Sequence, residues 1–420
     1  MIFAHTCYDR FYFTLFFIMT AMNKMEQLLA VSHQVKKRII GIMSGTSLDG
    51  VDLALTVISR KEQKLDVQLE HFITIPYPSI LKEQIQEQLQ PHLSSVDQIC
   101  ALHTDLGQFL GKTVLAVLDK WEEPPSEIDC IASHGQTLFH LPNGKNWEGD
   151  RLVATLQVGD ADQIAALTGI ITVSDFRMKD IAMGGEGAPL IPYVNYLLFS
   201  EPGKNRVFHN LGGISNLTYL PGSDDDKKVL AFDTGPANVL INLAVADLID
   251  PEQHFDLDGQ IAARGKTHSG LLNYLMDEPF FKWSPPKSTG RELFGETYLK
   301  KVLNLAKNYH LSSEDIIATL TSLTAHSIQD AYKRFLPTDQ PIEVYFSGGG
   351  LHNQTLMQEI RTLLPHLDIR LFSELGMNPD AWEAMGFAVL ANEFLSGNSV
   401  TLPGVTGCKT LTTLGKLSLP

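Results

Sequence analysis

One arrangement occurs twice in this chain and constrains its fold more than any other feature. Residues 37–56 read KRIIGIMSGTSLDGVDLALT: an apolar run from Ile39 to Met43, a turn bounded by Gly45 and Gly50, and a second run from Val51 to Ile58 interrupted mainly by Asp52. Residues 206–220 read RVFHNLGGISNLTYL, again an apolar run, a Gly-rich turn at Gly212-Gly213 and a second apolar run. Both patterns predict β-hairpins. Two such hairpins facing each other can clasp a polyphosphate, because glycine lets the backbone approach and consecutive N–H groups form an anion nest. Either one alone is an ordinary tight turn, and the chain has no GxxxxGK followed by Ser or Thr. The pair gains weight from Ser347-Gly348-Gly349-Gly350, which ends the apolar strand Ile342–Phe346 and precedes a helix opened by Asn353. A glycine triplet there lets a base and ribose lie flat against the backbone.

Around these hairpins, strands alternate with helices, the pattern of α/β units. Residues 79–120 read as helical, with Leu81, Ile85 and Leu89 on one face and Ile99, Leu102, Leu106, Phe109 and Leu110 on another. Glu122–Ser126 is a loop, and the strand Ile128–Ala132 runs into Ser133-His134-Gly135-Gln136. Val229–Phe232 is a strand meeting Asp233-Thr234-Gly235-Pro236, with helical spacing resuming over 237–249. Ser312 and Asp315 form a capping-box pattern ahead of Ile316, Leu320 and Leu323. A chain of 420 residues most simply makes two domains.

Charge and cysteine usage exclude some functions. The net charge of −15 lacks the basic footprint of a nucleic-acid binder, though it leaves room for a small phosphorylated ligand. Cys7, Cys100, Cys130 and Cys408 are far apart and form no CxxC pair, which argues against a zinc site or disulfide scaffold and fits a reducing compartment. The apolar segment 11–22, FYFTLFFIMTAM, follows Arg10 but has no convincing cleavage site after it. Twelve residues do not span ~30 Å of hydrocarbon as a helix. With Met19, Met22 and Met25 close by, the segment reads first as a surplus tail or as sequence upstream of the working start, with a signal or anchor segment and a docked helix as the alternatives. No membrane partner is expected.

Several side chains sit where chemistry is plausible. Asp233 ends an apolar strand beside a Gly turn, where a carboxylate acts as a general base toward a hydroxyl or water. The same position suits a helix N-cap, with Pro236 at the first helical position, and local sequence leaves both readings open. Glu383 lies at a helix start, where an acidic residue commonly complements the dipole. His134 and Gln136 follow a buried strand and face a cleft on this reading. Asp175, Arg177 and Asp180, flanked by apolar residues within Val173–Pro192, read as a ligand-facing loop. No HExxH or similar spacing occurs, so no metal cage built by protein side chains alone is expected. The absence of GxSxG weakens a hydrolase reading.

In order along the chain, GIMSGTSLDGVD, SHGQT, DFRMKDIAMGGEGAPLIP, NLGGISN, FDTGPAN, PKSTGRELF and SGGGLHN together resemble the bacterial 1,6-anhydro-N-acetylmuramic acid kinases. That family belongs to the superfamily of sugar kinases, actin and heat-shock chaperone ATPases. The resemblance covers about residues 37–420. It implies an α/β fold of two actin- or sugar-kinase-like (ribonuclease H-like) domains around an interdomain cleft. The N-terminal domain would span 37–180 and be completed by a segment near 380–420. The second would span 181–380, leaving 1–36 as an extension. The implied reaction consumes ATP, water and the anhydro-sugar and yields N-acetylmuramic acid 6-phosphate and ADP, a step of cell-wall recycling and amino-sugar catabolism. Asp233 matches the family's catalytic aspartate, and Glu383 matches a second carboxylate near the sugar. Gly45, Thr46, Ser47, Leu48, Asp49, Gly50, Val51 and Asp52 match the first phosphate loop, with Gly212 and Gly213 as the second candidate turn. Gly348, Gly349 and Gly350 match the nucleotide-side loop, which Asn353 follows. His134, Gln136, Asp175 and Arg177 are the sugar-side candidates, with Arg177 facing the lactyl carboxylate. Mg²⁺ is expected on phosphate oxygens and water. The resemblance also implies a homodimer, and the need for ATP a cytoplasmic setting. The rivals are an ordinary sugar kinase and a nucleotide-switched, chaperone-like ATPase. The latter lacks room for a peptide-binding domain, since the motifs run to the end of the chain.

Overall fold

A computed structural model describes residues 23–420 apart from 46–47, 62–63, 91, 148, 224–227 and 338–339. The apolar segment 11–22 and two phosphate-loop candidates, Thr46 and Ser47, therefore lie outside the described residues. In chain order the strands are β1 (Lys36–Ser44), β2 (Val51–Lys61), β3 (Lys64–Ile75), β4 (Cys130–Ser133), β5 (Gln136–Trp147), β6 (Asp150–Val158), β7 (Thr172–Ser174), β8 (Asn205–Leu211), β9 (Ile214–Leu220), β10 (Leu230–Pro236), β11 (Ile342–Ser347), β12 (Asp368–Leu371) and β13 (Lys416–Ser418). Two compact units contain them. One comprises the chain through Lys179 together with Ala384–Val400 and Thr412–Pro420; the other comprises Asp180–Glu383 and Thr401–Leu411. No helix among the described residues is long and apolar enough to cross a membrane.

The first unit is built on a sheet ordered β13-β7-β4-β1-β2-β3. β1 pairs antiparallel with β2 from Lys36↔Ser59 to Ser44↔Val51 and parallel with β4 on its other side. Ile39, Ile40 and Ile42 are all buried, which explains why β1 reads as a continuous apolar run rather than an alternating one. On one face, Ile40, Ile42, Leu53 and Leu55 join Leu102, Leu106, Leu110 and Val114 of the helix Val96–Trp121 in a single core. On another, the helix Trp382–Leu395 comes so close that a Cβ at Gly41 would lie 1.8 Å from the Ala384 carbonyl oxygen. β13 closes the far edge, antiparallel to β7.

The second unit's sheet is ordered β10-β9-β8-β11-β12. Counted within each sheet, the first five strands read third, second, first, fourth, fifth; β13 adds a sixth to the first sheet, and β5 and β6 are set apart as a two-stranded ribbon. Each sheet is an antiparallel meander of three strands extended by parallel ones. The helix Ser313–Phe335 lies between two cores. Ala325, Ile328 and Tyr332 pack with Val207, Leu217 and Phe346 from the sheet, while Ile317, Leu320 and Leu323 pack with Leu240, Leu271 and Val302. Its start is the expected capping box: Ser312 accepts from the Asp315 N–H and Asp315 from the Ser312 N–H.

The helical stretch 79–120 consists of two helices, Ser79–Gln88 and Val96–Trp121, which carry the two apolar faces; Pro91, which lacks a backbone donor, falls between them in sequence. Strand β3 and the β5–β6 ribbon were not anticipated. Part of the presumed tail forms a helix, Lys24–His33, opened by a reciprocal Asn23–Glu26 cap and burying Val31.

Candidate active site

In the second unit, β10 carries Asp233. Its pairing with β9 shifts register between Asp233 and Gly235, and such a bulge re-aims side chains locally. Gly235 has φ +144°, and a Cβ there would lie 2.6 Å from the Phe281 ring. The bulge is fixed from behind by a buried chain of hydroxyls and imidazole. Thr234 Oγ1 donates to Ser215 Oγ at 2.6 Å, Ser215 Oγ meets His209 Nε2 at 2.7 Å, and His209 Nδ1 meets the Tyr332 hydroxyl at 3.0 Å. Burial pushes the His209 imidazolium down to about 3, so it is neutral near pH 7.

Asp233 is not a helix N-cap. The strand continues through Pro236, the next helix is Asn238–Leu248, and the cap position at Ala237 makes no side-chain hydrogen bond. The carboxylate is occupied otherwise: Oδ2 accepts from the Thr289 N–H at 2.8 Å, and the Asp233 N–H donates to the Lys287 carbonyl at 3.0 Å. Burial raises its pKa to about 7; the Thr289 N–H opposes that rise, Glu292 adds to it, and Lys287 also opposes it. Among the described residues, Thr289 Oγ1 is buried without a hydrogen-bond partner. Neither Lys287 nor Thr289 was singled out by sequence reasoning, although both lie in the quoted PKSTGRELF motif.

The two glycine turns of this unit meet. A Cβ at Gly348, where φ is +89°, would lie 2.4 Å from Asn210 Oδ1 and 2.8 Å from the Leu211 carbonyl carbon, and one at Gly350 would lie 2.7 Å from Leu211 Cβ. The end of β8 thus requires both glycines. Among the described residues nothing lies within 4 Å of where a Cβ at Gly349 would sit, so their packing does not explain its missing side chain. Gly212 and Gly213 offer their carbonyls to the start of the helix Asn238–Leu248: Asn238 N–H reaches Gly212 O at 3.1 Å, and Val239 N–H reaches Gly213 O at 3.0 Å. Asn353 caps the following helix, Gln354–Leu363, accepting from the Leu356 N–H at 2.9 Å. Glu383 is exposed, in the first turn of Trp382–Leu395.

In the first unit, Leu48 takes φ +56° with its side chain buried, and Val51 is fully buried in the sheet. The Val51 side chain therefore belongs to the core of the sheet. A Cβ at Gly50 would lie 2.6 Å from the Ile75 carbonyl oxygen. Asp52 Oδ1 accepts from Thr74 Oγ1 at 2.6 Å. Asp49 follows Leu48 in the same turn as an exposed residue, and Gly45 precedes it. At the end of β1, Ser44 Oγ bonds both the Tyr77 hydroxyl and Gln136 Oε1, which fixes the buried Gln136 at the start of β5.

His134 and Arg177 come together. His134 Nδ1 lies 2.9 Å from the Gly135 carbonyl and so carries the proton, leaving Nε2 to accept from Arg177 Nε at 2.9 Å. Burial and then the adjacent guanidinium hold this imidazolium far below its ordinary pKa. Asp175, at φ +51°, ion-pairs with Lys416. Asp180, expected on a ligand-facing loop, is instead wholly buried. It accepts from the Gly187 N–H at 2.8 Å and the Thr406 hydroxyl at 2.7 Å, as burial of a carboxylate demands.

Residues 37–419 match the family model for Anhydro-N-acetylmuramic acid kinase. A protein of that name from Caldanaerobacter subterraneus subsp. tengcongensis is 39% identical over 396 residues, covering 94% of this chain and 100% of the relative. One from Salinibacter ruber is 40% identical over 397 residues, with the same coverage. Solved structures align more loosely. The activator of the 2-hydroxyisocaproyl-CoA dehydratase from Clostridium difficile matches with TM-score 0.40 at 11% identity, covering 85% of this chain and 95% of its own. The architecture therefore rests on the chain's own two sheets and on the sequence relatives.

Proposed function

This chain belongs to the anhydro-N-acetylmuramic acid kinase family, and from that premise we propose that it opens the 1,6-anhydro ring of 1,6-anhydro-N-acetylmuramic acid and phosphorylates O6 at the expense of ATP. The observation that carries the mechanism is Asp233: a desolvated carboxylate, held by the Thr289 N–H, with a pKa raised to about 7. A general base works best when its pKa lies near the operating pH. Asp233 takes the proton of a water whose oxygen bonds to C1 of the sugar. The C1–O6 bond breaks, O6 keeps the electron pair and attacks the γ-phosphorus, and the bond from that phosphorus to the bridging oxygen breaks to release ADP. The products are N-acetylmuramic acid 6-phosphate and ADP, which places the enzyme in cell-wall recycling.

The remaining roles belong to the same proposal. Glu383 assists water activation or sugar positioning. The first phosphate loop, Gly45 to Asp52, and the Gly212-Gly213 turn hold phosphates through backbone N–H groups. Gly348–Gly350 carry the nucleotide, Gly349 with its open space most directly. His134, whose proton sits on Nδ1, orients Arg177 toward the lactyl carboxylate, with Gln136 and Asp175 on the sugar side. Among the described residues no three His, Cys, Asp or Glu side chains gather as a metal cage. Glycine turns with few carboxylates would suit Mg²⁺ that arrives with the nucleotide, and the ion would offset phosphate charge. A homodimer in the cytoplasm completes the reading.

The test uses purified protein, the anhydro-sugar, Mg-ATP and ¹⁸O-labelled water, with products followed by mass spectrometry. One ¹⁸O at C1 of a sugar phosphate, with stoichiometric ADP, is expected. No phosphorylated product from the anhydro-sugar, with free N-acetylmuramic acid phosphorylated instead, refutes ring opening and leaves an ordinary sugar kinase.

A further inference from the structure

Lys287 is buried, and among the described residues it forms no ion pair. A buried ammonium without a carboxylate partner is costly, so its surroundings matter. Nζ donates to the carbonyls of Phe280 at 3.2 Å and Phe281 at 3.5 Å. It lies 4.6 Å from the ring centroid of Phe280, 5.5 Å from that of Phe335 and 6.0 Å from that of Phe232. Aromatic faces attract a cation in this way. Phe232 is the residue before Asp233. Arg334, on the helix Ser313–Phe335, ties down the same segment, donating to the carbonyls of Phe281 and Lys282. The backbone of the same loop is tied to Asp233 at both ends: the Lys287 carbonyl accepts the Asp233 N–H, and the Thr289 N–H donates to the Asp233 carboxylate.

We propose that Lys287 is a positioning residue for the Asp233 carboxylate: its caged ammonium clamps the 286–290 loop onto β10 and keeps a positive charge behind the base. This rests on the reading of Asp233 as general base. The electrostatics agree with the geometry. Asp233 faces Lys287, Glu292 and the Thr289 N–H from the loop; Lys287 faces Asp233 on β10 and both Arg334 and Asp330 on the long helix. Lys287 opposes the upward shift of the Asp233 carboxyl. Its own pKa, lowered to about 8 chiefly by burial and next by Arg334, still leaves it mostly charged at pH 7.

The test is the pH profile of kcat/KM in full-length Lys287→Met, Lys287→Gln and Lys287→Arg, each checked for folding by thermal melt. Removing the charge makes the carboxylate harder to ionise, so the acid limb moves to higher pH by roughly half a unit in the Met and Gln variants. Activity at pH 7 drops by roughly tenfold, from that shift and from a misplaced carboxylate together. The Arg variant keeps the limb in place. If Lys287→Met does not fold, Lys287→Gln, which removes the charge but keeps a polar donor, gives the same reading. An unmoved limb in a folded Gln or Met variant overturns the proposal, as lowered stability alone does not displace a pH limb. Asp233→Asn serves as the independent control: if it keeps turnover, the base reading fails, and the role of Lys287 with it.

Discussion

Asp233→Asn separates what the carboxylate does in catalysis from what it costs the fold. Burial raises its pKa from 3.8 to about 7, a shift worth about 4 kcal/mol at ~1.4 kcal/mol per unit. The sign follows from proton binding. The folded value lies above the unfolded one, so between pH 3.8 and about 7 the folded chain holds a proton that the unfolded chain has released. Stability contributed by this group is therefore fully present below pH 4 and lost as pH rises toward 7; above that the folded protein carries the whole penalty. Asparagine keeps the shape and an oxygen for the Thr289 N–H but does not ionise. Urea unfolding midpoints of wild type and variant should coincide near pH 4, diverge up to pH 7 and run parallel above it, with the variant more stable by up to about 4 kcal/mol. At ~2–4 °C per kcal/mol that is roughly 10 °C in Tm at pH 8. Turnover should fall by ~10²–10⁴-fold while ATP binding persists. A stability gap that does not change with pH, or a variant less stable at pH 8, refutes burial as the cause of the raised pKa.

Two glycine substitutions test the nucleotide loop and the first unit's core. Gly349→Ala meets no atom of the described residues within 4 Å, so its melting temperature should match wild type while ATP affinity, measured by calorimetry, falls at least tenfold; unchanged affinity removes this loop from the nucleotide site. Gly348→Ala, at φ +89° and 2.4 Å from Asn210 Oδ1, should lose both stability and affinity. Gly41→Ala places a Cβ 1.8 Å from the Ala384 carbonyl oxygen and should cost roughly 3 kcal/mol by denaturant unfolding; a cost under ~1 kcal/mol would mean that the helix shifts freely on the sheet.

What the sequence discloses here is local. The two hairpins, the Ser312–Asp315 cap and the cap at Asn353 each depend on residues within a few positions of one another, and all are present. The ambiguity at Asp233 is also local in origin. A strand end and a helix start favour the same residue, and only the continuation of β10 to Pro236 excludes the cap. The less legible features depend on distance along the chain. The chain of bonds behind the bulge draws on residues 209, 215, 234 and 332. The cage of Lys287 needs Phe232, Phe280 and Phe335 together, and a PKSTGRELF motif announces a loop without saying that its lysine is buried. Asp180 is misread for the same reason: its partner Thr406 lies 226 positions away. The β5–β6 ribbon escapes because its pairing shifts register twice, between Thr137 and Phe139 and between Leu141 and Lys145, which breaks the two-residue period that marks a strand.

The first unit takes β13 and most of the helix Trp382–Leu395 from the far end of the chain. During synthesis, then, the part made first cannot be finished first. β1, with Gly41 shaped to receive Ala384, emerges from the ribosome more than 300 residues before its covering helix, and β7 waits with an open edge until Lys416–Ser418 appear. At ~5–20 residues per second, that leaves an incomplete sheet exposed for roughly 15–70 s. Unpaired edges of this kind invite association with other chains. The sheet of the second unit, made entirely from residues between Asn205 and Leu371, is free to form in that interval, although Thr401–Leu411 join that unit only later, so the nascent protein should mature from its middle outward. Loss of even the last few residues would strand the opening half of the molecule rather than its end.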